Sequence, residues 1–544
     1  MPVLAAIDIG SNSSRLKIAR VVEHRLKQLH EDREVTRLGT SVFETGLISP
    51  DAMETALKAL KRFQRAVQEA GVDQIRVVAT SAMRDARNAQ AFVTWVKAET
   101  GWTIEIISGL EEGRLIHLGV MANEQGAGGR VVLVDVGGGS CEITLSEHKR
   151  VKETVSLPLG AVRLTQEFIP TDPATEDGLA RMNKFIAREL RAAHRRIQPE
   201  NVPLVIATSG TAAALSEANN VLIKPDSKAT RKGELKAAKT SGKKAALKTT
   251  PAASTQAEEN HVPADFGITT THQTRQLANK LRKMTMEERS AVPGIGPRRA
   301  EIIVAGASVY AELLESFGLP GFRYSELGLR DGILAQMLAE QDDRATEHEQ
   351  FEQERWESVL ATARRYGVNP REMEPVKTHA EQLFRDLEPL HQLPPEYKTW
   401  LAAAAMLSET GKFLNHQGHH RHTQYIVSSS EMYGITQAQR TIVSAIARYL
   451  GKSRPHPADR AMRNIPSQQH PFVLKSVVLL RLARALNQDR ASDVVKVAAR
   501  VYPKRILLEL EQGRTGAELE LWALRKEADY FREVFGRELF VTLV

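Results

Sequence analysis

The sequence predicts an α/β protein built on a duplicated strand–loop–strand unit, with an all-α region behind it. Three observations predict this. Strand and helix signals alternate over the first 130 residues. The pattern of apolar run, Asp, apolar residue and Gly-rich turn with Ser occurs twice, at Asp8-Ile-Gly-Ser-Asn-Ser13 and Asp135-Val-Gly-Gly-Gly-Ser140. Helical periodicity dominates from Trp356 to about Leu486. The two copies stand 127 residues apart and predict two α/β domains facing each other across a cleft. A chain of 544 residues is too long for one core, and about 100–200 residues per domain suggests three to four. The expected boundaries are 1–130 and 131–338 for the α/β domains, 339–500 for the helical domain and 501–544 for a small α/β segment.

The elements follow in order. Ala5-Ala6-Ile7 is a short apolar strand, and Leu16, Ile18 and Val21 alternate with Lys17 and Arg20 as a second. A helix runs from Ser49 to Gly71, with Ser49 as N-cap, Pro50 at the first helical position and an apolar stripe of Met53, Ala56, Leu57, Leu60, Phe63 and Val67. Ile75–Ala79 is the next strand, a helix covers about 88–99, and Ile104–Ile107 is a strand again. Val131–Val134 and Cys141–Leu145 restart the pattern, and Leu204–Ala207 adds a strand. Ala402–Leu407 and Phe472–Leu486 read as buried helices. Ile506–Leu510 is a late strand and Leu521–Phe535 a helix, separated by a Gly-rich turn at Gly513–Gly516.

Composition excludes several classes. No run of 18 uncharged apolar residues can span a bilayer, and Asp8 interrupts any secretory apolar region, so a cytoplasmic protein is expected. A single cysteine, Cys141, rules out internal disulfides and multi-cysteine zinc sites. The net charge is +8, but residues 224–250 alone carry eight Lys and one Arg against Asp226 and Glu234. That segment, rich in Lys, Ala, Thr, Ser and Gly without an aromatic residue, reads as a disordered basic insertion over about 224–262. The rest of the chain is close to neutral.

The two Asp-x-Gly loops carry the chemistry. Glycines let successive N–H groups converge on an anion, serines add donors, and an Asp ending the preceding strand can hold Mg²⁺. The candidates for a phosphate clamp are Gly10, Ser11, Asn12 and Ser13 with Gly137, Gly138, Gly139 and Ser140. Neither loop is a Walker A motif, because no Gly-Lys-Ser/Thr closes it and a strand follows. Thr208-Ser209-Gly210-Thr211 is either a further wall of the clamp, through Ser209, Gly210 and Thr211, or a plain strand-to-helix cap. Between the loops, Ser108 caps a helix bearing Glu111 and Glu112. Carboxylates there are helix-dipole partners or, facing a cleft, a base for water.

These blocks together resemble a known family. Asp8–Ser14, Ala79-Thr-Ser-Ala-Met-Arg-Asp85, Ile107-Ser-Gly-Leu-Glu-Glu112 and Asp135–Glu142 are similar to the exopolyphosphatase / guanosine pentaphosphate phosphohydrolase (Ppx/GppA) family. Leu157-Pro-Leu-Gly-Ala-Val-Arg163 and Ser325-Glu-Leu-Gly-Leu-Arg-Asp-Gly332 extend the resemblance, which covers residues 5–335 in order. It implies two ribonuclease-H-like domains of the actin/hexokinase/Hsp70 type. It implies Glu112 as catalytic base, with one residue of slip exchanging it for Glu111, and Asp135, Glu142 and Asp8 around a divalent metal such as Mg²⁺. Arg84 would pair with a phosphate. Gly113 departs from the family's frequent Ala, and Cys141 from its frequent Thr. The helical region resembles the HD-like domain of longer members through Ala404–Gly411 and Asn415–His422, and such members often form homodimers. Ser408-Glu409 stands where a working HD site needs a His-Asp pair, so the histidines at 416, 419, 420 and 422 are read as a polar surface, not a metal site.

The resemblance implies Mg²⁺-dependent, processive release of terminal orthophosphate from inorganic polyphosphate, or hydrolysis of the 5′-γ-phosphate of guanosine pentaphosphate (pppGpp). A non-catalytic polyphosphate or nucleotide regulator is the alternative of another class, and a kinase on the same fold is a third. Val292-Pro-Gly-Ile-Gly-Pro-Arg-Arg-Ala300 has the look of a DNA-backbone clamp. The family carries an Arg-Ala-(Asp/Glu)-x-Ile stretch in that region, which argues against nucleic acid as partner.

Overall fold

The computed structural model describes residues 2–122, 124, 129–223, 267–342, 344, 348–451, 453–488, 496–511 and 516–544. The basic segment 224–250, the expected insertion to 262 and most of the turn at 513–516 lie outside them. The chain divides into two compact units, Met1–Thr346 and Glu347–Val544.

The first unit holds two mixed sheets of matching construction. In the first, β1 (Val3–Ile9) pairs antiparallel with β2 (Ser13–Val22), which pairs with β3 (Arg25–Val35). β4 (Gln74–Ala79) and β5 (Ile104–Ile106) run parallel to β1. In the second, β6 (Arg130–Val136), β7 (Cys141–Glu147) and β8 (Arg150–Leu157) repeat the antiparallel run. Beside β6 lies β9 (Leu204–Thr208), parallel to it; β10 (Thr269–Thr270) and β11 (Gly321–Tyr324) complete the order β10-β11-β9-β6-β7-β8. The repeat extends to the turns. Gly10 N–H donates to Ser13 O at 3.1 Å, and Gly137 N–H to Ser140 O at 3.0 Å.

Local chemistry explains the elements. Residues 3–9 read as one apolar run because β1 is central and covered on both faces. The helix Pro50–Glu69 starts where Ser49 Oγ accepts from Ala52 N–H and buries Ala56, Leu57, Leu60, Phe63 and Val67 on the first sheet. Several elements of the first unit escaped the sequence pattern, among them β3, β8 and the helices Leu38–Thr45, Glu176–Ile197 and Ile303–Ser316. In β3, Arg25, Lys27, His30 and Glu31 form an exposed, charged edge, which is how sheets discourage further pairing.

The helix Leu329–Gln341 falls mostly inside the expected 131–338 domain but lies on the first sheet. There Ile333, Leu334, Met337 and Leu338 pack with Leu4, Ala6, Val78 and Ile107. It crosses the helix Gly109–Met121 backbone to backbone. A Cβ on Gly332 would stand 1.7 Å from Leu115 O, and one on Gly119 2.5 Å from Gly332 N.

The second unit is a helical bundle with a small sheet on a shared core. The expected buried helices are Glu396–Leu407 and His470–Ala485. β12 (Lys496–Val501) pairs antiparallel with β13 (Arg505–Glu511), and the helix Glu518–Phe535 leads to β14 (Glu538–Leu543), parallel to β13. Ile506, Leu508 and Leu510 belong to the same apolar cluster as Leu383 and Val477, so the last forty residues have no core of their own. Among the described residues, no helix is long and apolar enough to cross a membrane.

Candidate active site

Sheet register assembles the site. Asp135 is the Cα partner of Glu142 on β7 and of Thr208 on β9, and Glu142 is the partner of Ser156 on β8. Four neighbouring strands therefore carry a row Thr208, Asp135, Glu142, Ser156. The hydroxyls at its ends point inward: Thr208 Oγ1 donates to Asp135 Oδ2, and Ser156 Oγ to Glu142 Oε1 at 2.7 Å. In the first hairpin Asp8 is the partner of Arg15. The duplicated unit thus places a cation in one copy where the other places Glu142.

The helix Gly109–Met121 brings the next carboxylate. Ser108 caps it by accepting from Glu111 N–H at 3.2 Å. Glu111 turns away and binds Arg114, which also donates to Gln336. Glu112 turns the other way, 8% exposed, and accepts from Arg84 Nη1 at 2.9 Å. Arg84 also donates to Ile107 O at 2.9 Å and to Ser140 Oγ at 3.4 Å, tying the base candidate to the second glycine loop.

The loops face one another. A Cβ on Gly138 would be 3.0 Å from Ser11 Cβ, and one on Gly139 2.4 Å from both the Phe43 ring and Ser81 Oγ. Arg163 closes this side by donating to Gly139 O at 2.8 Å, pairing with Asp85 and lying 4.1 Å over Phe43.

Burial and crowding set the charges. Burial pushes Glu112 up to about 7 against the pull of Arg84, and Asp8 up to about 6 against Arg15 and Arg330. Burial, followed by Glu112, holds Glu142 well above the ordinary carboxylate range, and burial raises Asp135 although Thr208 opposes it. Four acids lie close together here, and burial raises each of them.

The model of the Ppx/GppA phosphatase family matches residues 17–341, and that of Ppx/GppA phosphatase domain III matches residues 355–531. The chain belongs to the Ppx/GppA phosphatase family. A crystal structure of the Aquifex aeolicus family member is 31% identical, spanning 63% of this chain and 99% of that one, with a TM-score of 0.48. An exopolyphosphatase from Cytophaga hutchinsonii is 24% identical over 62% of this chain and 97% of its own, with a TM-score of 0.52. An exopolyphosphatase-like protein is 26% identical over 61% and 96%, also with a TM-score of 0.52.

In this Ppx/GppA phosphatase the acidic pocket fits a divalent cation. Asp8 Oδ1 and Glu142 Oε2 are buried oxygens without a hydrogen-bond partner, and an acceptor in that state is costly unless a cation meets it. Among the described residues no three acidic, imidazole or thiol groups enclose an ion by themselves. Mg²⁺ suits such a site, since it keeps several waters and takes further ligands from phosphate.

Several candidate residues already have hydrogen-bond partners within the protein. Ser209 and Thr211 both donate their hydroxyls to Val136 O, each at 3.0 Å, so they hold the loop and leave only backbone N–H for an anion. Ser11 Oγ accepts from Ala82 N–H at 3.1 Å, and Asn12 O receives Thr36 and Arg37 N–H. Ser209 sits at φ 74° at the start of the helix Ser209–Leu222, a left-handed conformation that a serine adopts at a cost.

Sequence reasoning missed an arginine group. Arg299, in the stretch that looked like a DNA clamp, lies against Gly210, where a Cβ would be 2.0 Å from its guanidinium. Burial lowers Arg15, Arg33 and Arg299 below the ordinary arginine range, Arg33 to about 9; the charge of Arg15 lowers Arg33 and Arg299 further, and Arg330 does the same to Arg15. Among the described residues none of the three has an acidic partner at ion-pair distance. Their separation in sequence hid them, and only the register of Arg15 opposite Asp8 was a signal.

Proposed function

We propose that this Ppx/GppA phosphatase is an exopolyphosphatase that hydrolyses the terminal phosphoanhydride bond of inorganic polyphosphate with Mg²⁺. The observation that carries the reading is Glu112, buried beside the carboxylate row and held by Arg84, which also reaches Ser140 of the second glycine loop. Backbone N–H groups of Gly10–Ser13 and Gly137–Ser140 hold the terminal phosphate. Asp135, Glu142 and Asp8 hold the cation, which when bound neutralises charge on the transferring phosphoryl group. Glu112 orients a water and takes its proton. The water oxygen bonds to the terminal phosphorus, the bridging P–O bond breaks toward the chain, and orthophosphate and a chain one unit shorter leave. Arg84 keeps Glu112 aimed and stabilises its ionised form.

Arg33 and Arg299, which have no acidic partner at ion-pair distance among the described residues, favour the polymer as candidate donors to phosphates beyond the first, while Arg15 faces Asp8. In the helical unit we read a HD-like domain without a working metal site. Ser408 spends its hydroxyl on Ala405 O, and Glu409 pairs with Lys412, so neither residue of this pair is free to act as a His-Asp pair would. Orthophosphate release from long-chain polyphosphate and from pppGpp, measured side by side with Mg²⁺, tests the substrate. A higher kcat/KM for polyphosphate is expected; the reverse order assigns the protein to the nucleotide, and no release from either refutes the enzyme reading.

A further inference from the structure

Each carboxylate of the row has one oxygen held by a hydroxyl from a flanking strand. Thr208 takes the outer oxygen of Asp135, and Ser156 takes Oε1 of Glu142. Glu142 Oε2 is left buried and unpartnered, as is Asp8 Oδ1. The hydroxyls come from the two strands that flank the carboxylate strands, at the same register level. A hydroxyl donor to one oxygen fixes the rotation of a carboxylate and leaves the other oxygen as a ligand.

The helix Gly109–Met121 is shaped to permit this. Its first residue lies directly over Ser156: a Cβ on Gly109 would stand 2.1 Å from Ser156 Oγ and 3.4 Å from Glu142 Oε1. One turn later a Cβ on Gly113 would be 2.7 Å from Thr154 Cγ2 and 3.7 Å from Glu142 Cβ. Two glycines thus seat the helix on β7 and β8, and the helix carries Glu112. The alanine frequent in the family at 113 has no room here, because threonines stand opposite at 144 and 154.

We propose that Ser156 and Thr208 are matched positioning residues. By holding the outer oxygens of Glu142 and Asp135 they turn the inner ones toward the divalent cation, with Gly109 making space for the Ser156 hydroxyl. The inference rests on the metal-site reading above, and its test separates the two. Mn²⁺ binding by the full-length protein, followed by calorimetry and by the electron paramagnetic resonance of free Mn²⁺, is compared for wild type, Ser156→Ala, Thr208→Val and Glu142→Gln. Both hydroxyl variants remove one donor with little change of shape. Each is expected to weaken Mn²⁺ binding about tenfold or more, within the range typical for partners of metal ligands. The metal-free variants are expected to stay folded with a lowered melting temperature, because each leaves a buried carboxylate oxygen without its donor, and the loss of Mn²⁺ affinity is read on the folded protein. Gly109→Ala gives a second route to the same defect, since its methyl takes the place of the Ser156 hydroxyl. Wild-type affinity in both hydroxyl variants overturns the positioning role. Failure of wild type to bind Mn²⁺, or undiminished binding in Glu142→Gln, overturns the metal site itself.

Discussion

At the scale of single residues, one question decides the chemistry: which of two adjacent glutamates faces the pocket. Spacing could not separate Glu111 from Glu112, because both lie in the first turn of one helix. Their partners separate them, Arg114 and Gln336 on one side, Arg84 on the other. The same surroundings predict a pH effect in metal-free protein. Asp8 and Glu112 have folded values of about 6 and about 7, above the ordinary 3.8 and 4.5. Between those limits the folded state binds more protons than the unfolded one, so stability is lost as pH rises. With a chelator present, the melting temperature should fall from about pH 4.5 to about pH 7, and added Mg²⁺ should flatten the fall. A melting temperature that rises over that window in chelator would contradict the burial of these acids.

At the scale of elements, the hairpin repeat was legible because Asp-x-Gly and Ser recur at one spacing, and the turns close identically. β3 was not, because a charged edge strand has no apolar alternation to betray it. Nor was the return of Leu329–Gln341 to the first sheet, since its apolar face is indifferent to which sheet it covers. What fixes that docking is close approach at Gly332, where an added Cβ meets the Leu115 carbonyl at 1.7 Å. Neither backbone can yield cheaply. Gly332→Ala should destabilise the protein by about 3 kcal/mol, the upper end of ordinary overpacking. Gly71→Ala, at φ 61° with nothing within 4 Å, should cost only about 1 kcal/mol of backbone strain. Denaturant unfolding checks the order, and equal effects of the two substitutions would show that the helix contact is looser than its geometry.

At the scale of the molecule, net charge was a poor guide and its distribution a good one. The +8 sits mostly in residues 224–250, while the site carries its own balance of four buried acids and a group of underpaired arginines. Those arginines come from positions 15, 33 and 299, far apart in sequence and joined only by folding, so no local motif announced them. Motifs gave the family and the acidic residues; topology gave their grouping. The central claim is that Glu112 activates water for attack on a terminal phosphate. Orthophosphate release from long-chain polyphosphate with Mg²⁺, wild type against Glu112→Gln, tests it most directly. The substitution should lower kcat by about 10²–10⁴, the range for a positioned base, with polyphosphate binding kept within a few-fold. A variant that releases phosphate at close to the wild-type rate would contradict the claim.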